Sequence, residues 1–280
     1  MTEKALVKQL CICCGESGKA TNKEHVFPQW ILKKTNTFNN PISGLFSDKK
    51  LPGKNCVIPI CIECNSELGL NLEAPASQIF ERIESGAGFN DHEAEILVRW
   101  LWKITGMFYW INHSTDKDQY GFISLKNKVL KPIESPRDRI TLAITLTEDE
   151  FEEDVDSPMG IDVLPRLSNV LAAGVFSKTA IIVTNTDFAG SIPDNYTKYT
   201  LSSVPMMMSP NYKIHPKVGF QTGTEAVGIT ITTAMSLLHP HEMYAANEWL
   251  SFIRLTREDS TFLPNEFKDY TRRVMMKDRN

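Results

Sequence analysis

The clearest periodicity in the chain starts at Asn90. Ile96, Leu97, Trp100, Leu101, Ile104, Phe108 and Ile111 recur at steps of three and four residues, the spacing of one helix face. Asn90 with Glu93 three positions on forms a capping box at the start of that run. Val98, Trp102 and Tyr109 give the helix a second apolar face, which predicts burial between two parts of the protein and makes its aromatics core rather than base-stacking surface. Arg99 and Lys103 interrupt the apolar stretch, which is also shorter than the roughly 20 residues of a spanning helix. No membrane span is expected. His92 and His113, near the helix ends, read as surface histidines.

Elsewhere the pattern changes period. Arg139 to Leu146 alternates Ile140, Leu142, Ile144 and Leu146 with Thr141, Ala143 and Thr145, which predicts a half-buried strand. Ala180–Thr184, Tyr199–Val204 and Gly228–Ala234 are further strand candidates. Glu242–Leu255 and Asn265–Lys277 have helical spacing. Pro28 opens a short helix through Trp30, Ile31 and Lys34. The fold class is therefore α+β, without internal repeats, a P-loop or a GxGxxG motif.

Charge and cysteine content divide the chain. The whole carries a net charge of −4, yet residues 1–72 hold nine Lys against six acidic residues, and the remainder is acidic. All six cysteines fall at positions 11, 13, 14, 56, 61 and 64. The N-terminus lacks the apolar run and small-residue cleavage site of a secretory signal, so a cytoplasmic setting is expected. In that setting, Cys11-x2-Cys14 and Cys61-x2-Cys64 read as two knuckles of one four-thiolate zinc site, not as disulfides. Cys13 and Cys56 read as small buried residues.

Inside the loop closed by these knuckles lies Lys23-Glu24-His25-Val26-Phe27-Pro28, and Asn65 directly follows Cys64. Closing both knuckles on one ion would fix Asn65 relative to the Glu24-His25 segment. The order Cys11-x2-Cys14-Gly15, Glu24-His25-x-x-Pro28, the apolar Val57–Ile60 and Cys61-x2-Cys64-Asn65 resembles the HNH endonuclease family in its zinc-stapled, treble-clef-like form. The resemblance covers residues 11–72. It implies a ββα-metal fold, His25 as general base, and Glu24 and Asn65 as ligands of a catalytic Mg2+ or Mn2+, with Zn2+ structural on Cys11, Cys14, Cys61 and Cys64. The implied reaction is hydrolysis of phosphodiester bonds, in DNA first and RNA second, leaving 5'-phosphate and 3'-hydroxyl ends. Lys23, Lys33 and Lys34 are the candidate phosphate contacts. Antiphage defence, restriction and mobile elements are the settings the resemblance implies.

The expected organisation is an HNH zinc-stapled nuclease domain at 1–86 and an α+β domain at 87–280 for target recognition, a partner protein or homodimerisation. The rival reading is a non-catalytic zinc-ribbon module that binds nucleic acid or protein, in which Glu24, His25 and Asn65 only satisfy the loop. Three further features read as structural. The acidic run Glu148–Asp156 is a solvated loop, His239-Pro240-His241-Glu242 is a helix start, and Met206–Met208 plugs the underside of a loop. Lys268, Arg272, Arg273, Lys277 and Arg279 form a basic surface face.

Overall fold

The computed structural model describes residues 11–16, 20, 22–46, 49–113, 125–134, 136–149, 159–162, 172–204 and 213–238. The chain runs through β1 (Asn22–His25), α1 (Gln29–Lys34), β2 (Pro41–Phe46), β3 (Lys49–Pro52) and β4 (Val57–Ile60). Three helices follow, α2 (Ile62–Leu68), α3 (Ala74–Glu84) and the long α4 (Asp91–His113). After the short α5 (Lys126–Val129) come β5 (Ile140–Thr147), β6 (Met159–Asp162), β7 (Ala172–Phe176) and β8 (Thr179–Asn185). Then β9 (Thr197–Thr200), β10 (Lys217–Phe220) and α6 (Gly223–Leu238) complete the described elements. The protein is mixed α+β, as the periodicities predict. No helix among the described residues is long and apolar enough to cross a membrane.

Two small antiparallel pairs, β1 with β4 and β2 with β3, lie in the N-terminal part. The main sheet has the order β10-β5-β8-β7-β6, with β9 also pairing β5. β10 runs parallel to β5 and the other pairs are antiparallel. β9 covers the first half of the β5 edge, Thr141 to Ile144, and β10 covers its end from Thr145. β7 and β8 meet through a two-residue turn in which Ser177 takes φ 53°, a left-handed conformation.

The capping box at α4 is built in full. Glu93 N–H donates to Asn90 Oδ1 at 2.9 Å, and Asn90 N–H donates to Glu93 Oε2 at 3.0 Å. α2 and α3 form one helical path joined by a widened π turn, Gly69–Glu73. Pro75 explains the widening: it has no N–H to return to the Asn71 carbonyl, and its ring pushes that carbonyl away. The turn delivers Glu73 toward α4.

One hydrophobic cluster runs from Cys11, Cys61 and Cys64 through Ile31, Phe80, Leu97 and Trp100 to Ile140, Leu142, Phe176 and Ile181 on the main sheet. Trp100 stands at its centre, with ring centroids 4.9 Å from Phe80, 5.1 Å from Phe176 and 5.6 Å from Trp30. The opposite sheet face, with Ala143, Ala173, Val175, Ala180 and Ile182, packs against Ala226, Ala234 and Leu237 of α6. α4 and α6 thus sandwich the sheet, and α4 also backs the cysteine-bearing part.

Three sequence expectations change. β5 is buried along its whole length, not half-buried. Its small-residue face lies beneath α6, and Thr141 and Thr145 are satisfied by Thr200 Oγ1 at 2.8 Å and the Lys217 carbonyl at 2.9 Å. Gly228–Ala234 is helix, not strand. Thr222 caps it, accepting from Glu225 N–H at 3.2 Å, and Ala226, Thr230, Thr233, Ala234 and Leu237 form its buried face. Tertiary packing overrides the β-branched preference of Gly-Ile-Thr-Ile-Thr-Thr. The third strand candidate is displaced, β9 ending at Thr200. The helices expected at 242–255 and 265–277, the 239–242 and 206–208 features, the basic tail and the acidic run beyond Asp149 lie outside the described residues.

Candidate metal centre and adjoining ion cluster

The first knuckle is a tight turn in which Gly15 N–H donates to the Cys11 carbonyl at 2.9 Å and Gly15 takes φ 81°. That left-handed φ is readily adopted by glycine. Ile12 N–H donates to the Pro59 carbonyl at 3.3 Å, which fastens the turn to β4. Cys61 caps α2, its Sγ accepting from Cys64 N–H at 3.4 Å, and Cys61 N–H donates to Cys11 Sγ at 3.3 Å. The thiol sulfurs of Cys11, Cys14, Cys61 and Cys64 all lie within 4.8 Å of one another. A tetrahedron with Zn–S bonds of about 2.3 Å has sulfurs about 3.8 Å apart, so a small contraction closes the shell.

The chemistry of this donor set fits a divalent metal ion. Burial raises the Cys61 thiol to about 11 and drives Cys64 far above its usual range, with Cys13 adding to the effect on Cys64. On Cys11 burial also acts upward, but N–H groups of Cys14, Cys61 and Cys13 prevail and hold it below its ordinary value. Four neighbouring thiolates need a cation, and a cation supplies the charge that burial withholds. The cluster could hold a metal ion and is compatible with structural zinc. Cys13 is buried beside Cys64, and burial raises it to about 12. Cys56 is buried apart from it, with Sγ 3.6 Å from the Pro52 carbonyl, and burial raises it to about 11. Both have the packing role expected of them.

β1 carries Glu24 and His25 opposite Ile58 and Val57 of β4. α2, which carries Asn65 in its first turn, packs against β1. Asn65 is half-buried, and its side-chain amide makes no hydrogen bond among the described residues. Glu24 is ion-paired through Oε1 to the Lys103 ammonium, which also binds Glu73 Oε1. Glu73 Oε2 accepts from the indole N–H of Trp30 and of Trp100, each at 3.1 Å. Lys103 is fully buried; burial acts to lower its pKa, but Glu73 and Glu24 together raise it, so it is an ammonium.

His25 sits at the edge of this cluster, its ring 6.4 Å from that of Phe38. Its pKa is lowered, chiefly by burial and further by Lys103, against the opposing pull of Glu24 and a hydrogen bond to the Lys54 backbone. The imidazole is neutral at physiological pH.

Among the candidate phosphate contacts, Lys23 is exposed and Lys33 lies 5.8 Å from the Phe38 ring centroid. Lys34 is paired with Glu84 at 2.6 Å. Sequence reasoning missed Glu73, Lys103 and the indole donors. A signal was present: Asp91, Glu95, Arg99 and Lys103 recur every four residues, acids first and bases last, along one buried side of α4. Asp91, Glu95 and Arg99 join Arg137 in a second buried network. Comparison of the chain with protein-family models, curated proteins and solved structures gives no match.

Proposed function

We propose that the chain is a metal-dependent endonuclease of the HNH type, with β1, β4 and α2 as its ββα-metal unit. The observation that carries this reading is the joining of the two cysteine knuckles. It sets α2, with Asn65, against the strand that ends in Glu24-His25, in the order the HNH resemblance implies. In this reading residues 1–86 supply the chemistry. Residues 87–280 form the accessory part, whose α4 lends Lys103 and Trp100 to the site.

Glu24 Oε2 has no hydrogen-bond or ion-pair partner among the described residues, and the Asn65 amide is likewise uncommitted. A carboxylate and an amide oxygen suit a hard cation such as Mg2+ or Mn2+. Bound there, that cation would supply charge stabilisation for the developing phosphorane and the leaving oxygen. In this reading the neutral imidazole of His25 accepts a proton from the attacking water. The Phe38 ring lies beside the imidazole, 6.4 Å from it centroid to centroid. Zinc on the four cysteines has a purely structural task.

The rival reading is a non-catalytic zinc module. One observation favours it: Lys103 already occupies an oxygen of Glu24, as a purely structural carboxylate would allow. The two separate on product chemistry. Nicks made in supercoiled plasmid should be sealed by a ligase that requires 5'-phosphate and 3'-hydroxyl ends, and a single-stranded RNA of matched sequence should be cut more slowly. Nicks that resist ligation would contradict the proposed mechanism, and a chain that binds the plasmid with every strand left whole would favour the binding module.

A further inference from the structure

The Glu24–Lys103–Glu73 cluster has an asymmetry that packing alone does not require. Glu73 is committed at both oxygens, to Lys103 on one and to two indoles on the other. Glu24 is committed at Oε1 only, and its side chain is 13% exposed where that of Lys103 is 0%. The three residues come from separate elements, β1, the π turn and α4, so the arrangement is held by the whole N-terminal core. Two carboxylates around one ammonium leave one net negative charge, and the oxygen free to express it belongs to Glu24. Glu24 and Lys103 both act electrostatically on His25, the next residue of β1.

We infer that Lys103 is the positioning residue of the proposed nuclease centre: it anchors Glu24 by Oε1 and leaves Oε2 to a divalent cation, while Glu73 keeps the ammonium from neutralising Glu24 outright. This rests on the nuclease reading. Glu73 is the regulator of the arrangement, because it shares the positive charge that Glu24 would otherwise hold alone. Trp30 and Trp100 fix Glu73 through its other oxygen, so the share is set by geometry. A merely structural ion cluster would make the fold sensitive to these residues and leave metal dependence untouched.

The test uses the full zinc-loaded chain, with Mn2+ as the probe. Mn2+ binding is followed by electron paramagnetic resonance, and plasmid nicking is followed across a Mn2+ titration. Glu73→Gln keeps an acceptor for the indoles and hands the ammonium to Glu24 alone, so half-saturating Mn2+ should rise about 10-fold, the lower end of what supporting residues contribute. Lys103→Met should cut turnover at saturating Mn2+ by about 10-fold or more, and Lys103→Arg should recover part of the loss. Zinc content should equal wild type in all variants. If Lys103→Met does not fold, Glu73→Gln and Lys103→Arg decide the matter, since each retains a polar partner for the buried groups.

Wild-type Mn2+ affinity and turnover in folded Glu73→Gln and Lys103→Arg would overturn the inference, even if both melt at lower temperature. A wild-type chain that neither binds Mn2+ nor cuts would overturn the nuclease reading and the inference with it. A wild-type chain that does both, beside unaltered variants, overturns the inference alone.

Discussion

Arg137→Met removes the guanidinium that clamps α4 to the segment entering the main sheet. Arg137 is 1% exposed, as is its partner Asp91, and Glu95 is 3% exposed. The guanidinium donates to Asp91 Oδ2 at 2.7 Å, to Glu95 Oε2, to the Ser202 carbonyl at 2.9 Å and to the Ile133 carbonyl at 3.2 Å. Methionine fills much of the volume and restores none of the charge. Breaking a buried pair costs roughly 3–5 kcal/mol because a carboxylate is left without its counter-charge. Two features place this case at the lower end. Asp91 Oδ1 keeps Tyr199 OH at 2.9 Å and Ser202 N–H at 2.8 Å, and Glu95 keeps Ile133 N–H at 2.9 Å with Arg99 3.3 Å away. The expected loss is therefore about 3 kcal/mol, a large part of the roughly 5–15 kcal/mol of a native protein. At about 2–4 °C per kcal/mol this lowers the melting temperature by about 6–12 °C.

Urea unfolding of wild type, Arg137→Met, Asp91→Asn and the double variant measures the pair directly. The second substitution should cost less in the Arg137→Met background than in wild type, by an interaction energy of about 1–3 kcal/mol. Arg137→Met within about 1 kcal/mol of wild type, with additive costs in the cycle, would refute the reasoning that this network is a clamp.

If the four cysteines hold structural zinc, Cys61→Ser should lose it, measured by atomic emission, and destabilise the N-terminal part, since structural-zinc affinity is largely folding free energy; a stable, zinc-loaded variant would contradict the four-cysteine site. Burial acts to raise the Glu93 carboxyl, yet Arg82 at 2.6 Å, Lys213 at 3.0 Å and Asn90 N–H prevail and hold it below its ordinary value. A depressed pKa contributes stability that is complete above the unfolded value near ~4.3 and is lost as pH falls through the folded one. Glu93→Gln should therefore flatten the decline in stability below about pH 4.3, and a decline as steep as wild type would reject that role.

Local signals were legible in the sequence where one short segment decides the outcome. The Asn90–Glu93 box, the α4 periodicity and the two C-x2-C knuckles needed only neighbours to be read, and each stands where the pattern puts it. Gly228–Ala234 alternates like a strand, yet the information that decides for α6 is the Thr222–Glu225 start signal and a sheet face for the helix to cover. In the sequence, Arg99 and Lys103 of α4 look like interruptions of an apolar run. The four-residue spacing of the α4 charges was visible, but their partners Glu24, Glu73 and Arg137 lie 79, 30 and up to 46 residues away, and no local pattern links them. The same distance hid the indole donors of Glu73. The Cys13 and Cys56 roles were legible because burial of a small thiol asks nothing of distant residues.

The proposed nuclease mechanism has His25 take a proton from water beside a divalent cation, on a scaffold stapled by zinc. Its most direct test is incubation of the zinc-loaded chain with supercoiled plasmid, with and without Mg2+ or Mn2+, for wild type and His25→Ala. Wild type should nick the plasmid only when the divalent cation is present. In His25→Ala nicking falls by about 100-fold or more, the scale of a lost general base, while zinc content stays equal to wild type. Nicking by His25→Ala at the wild-type rate, or nicking that ignores the divalent cation, would contradict it.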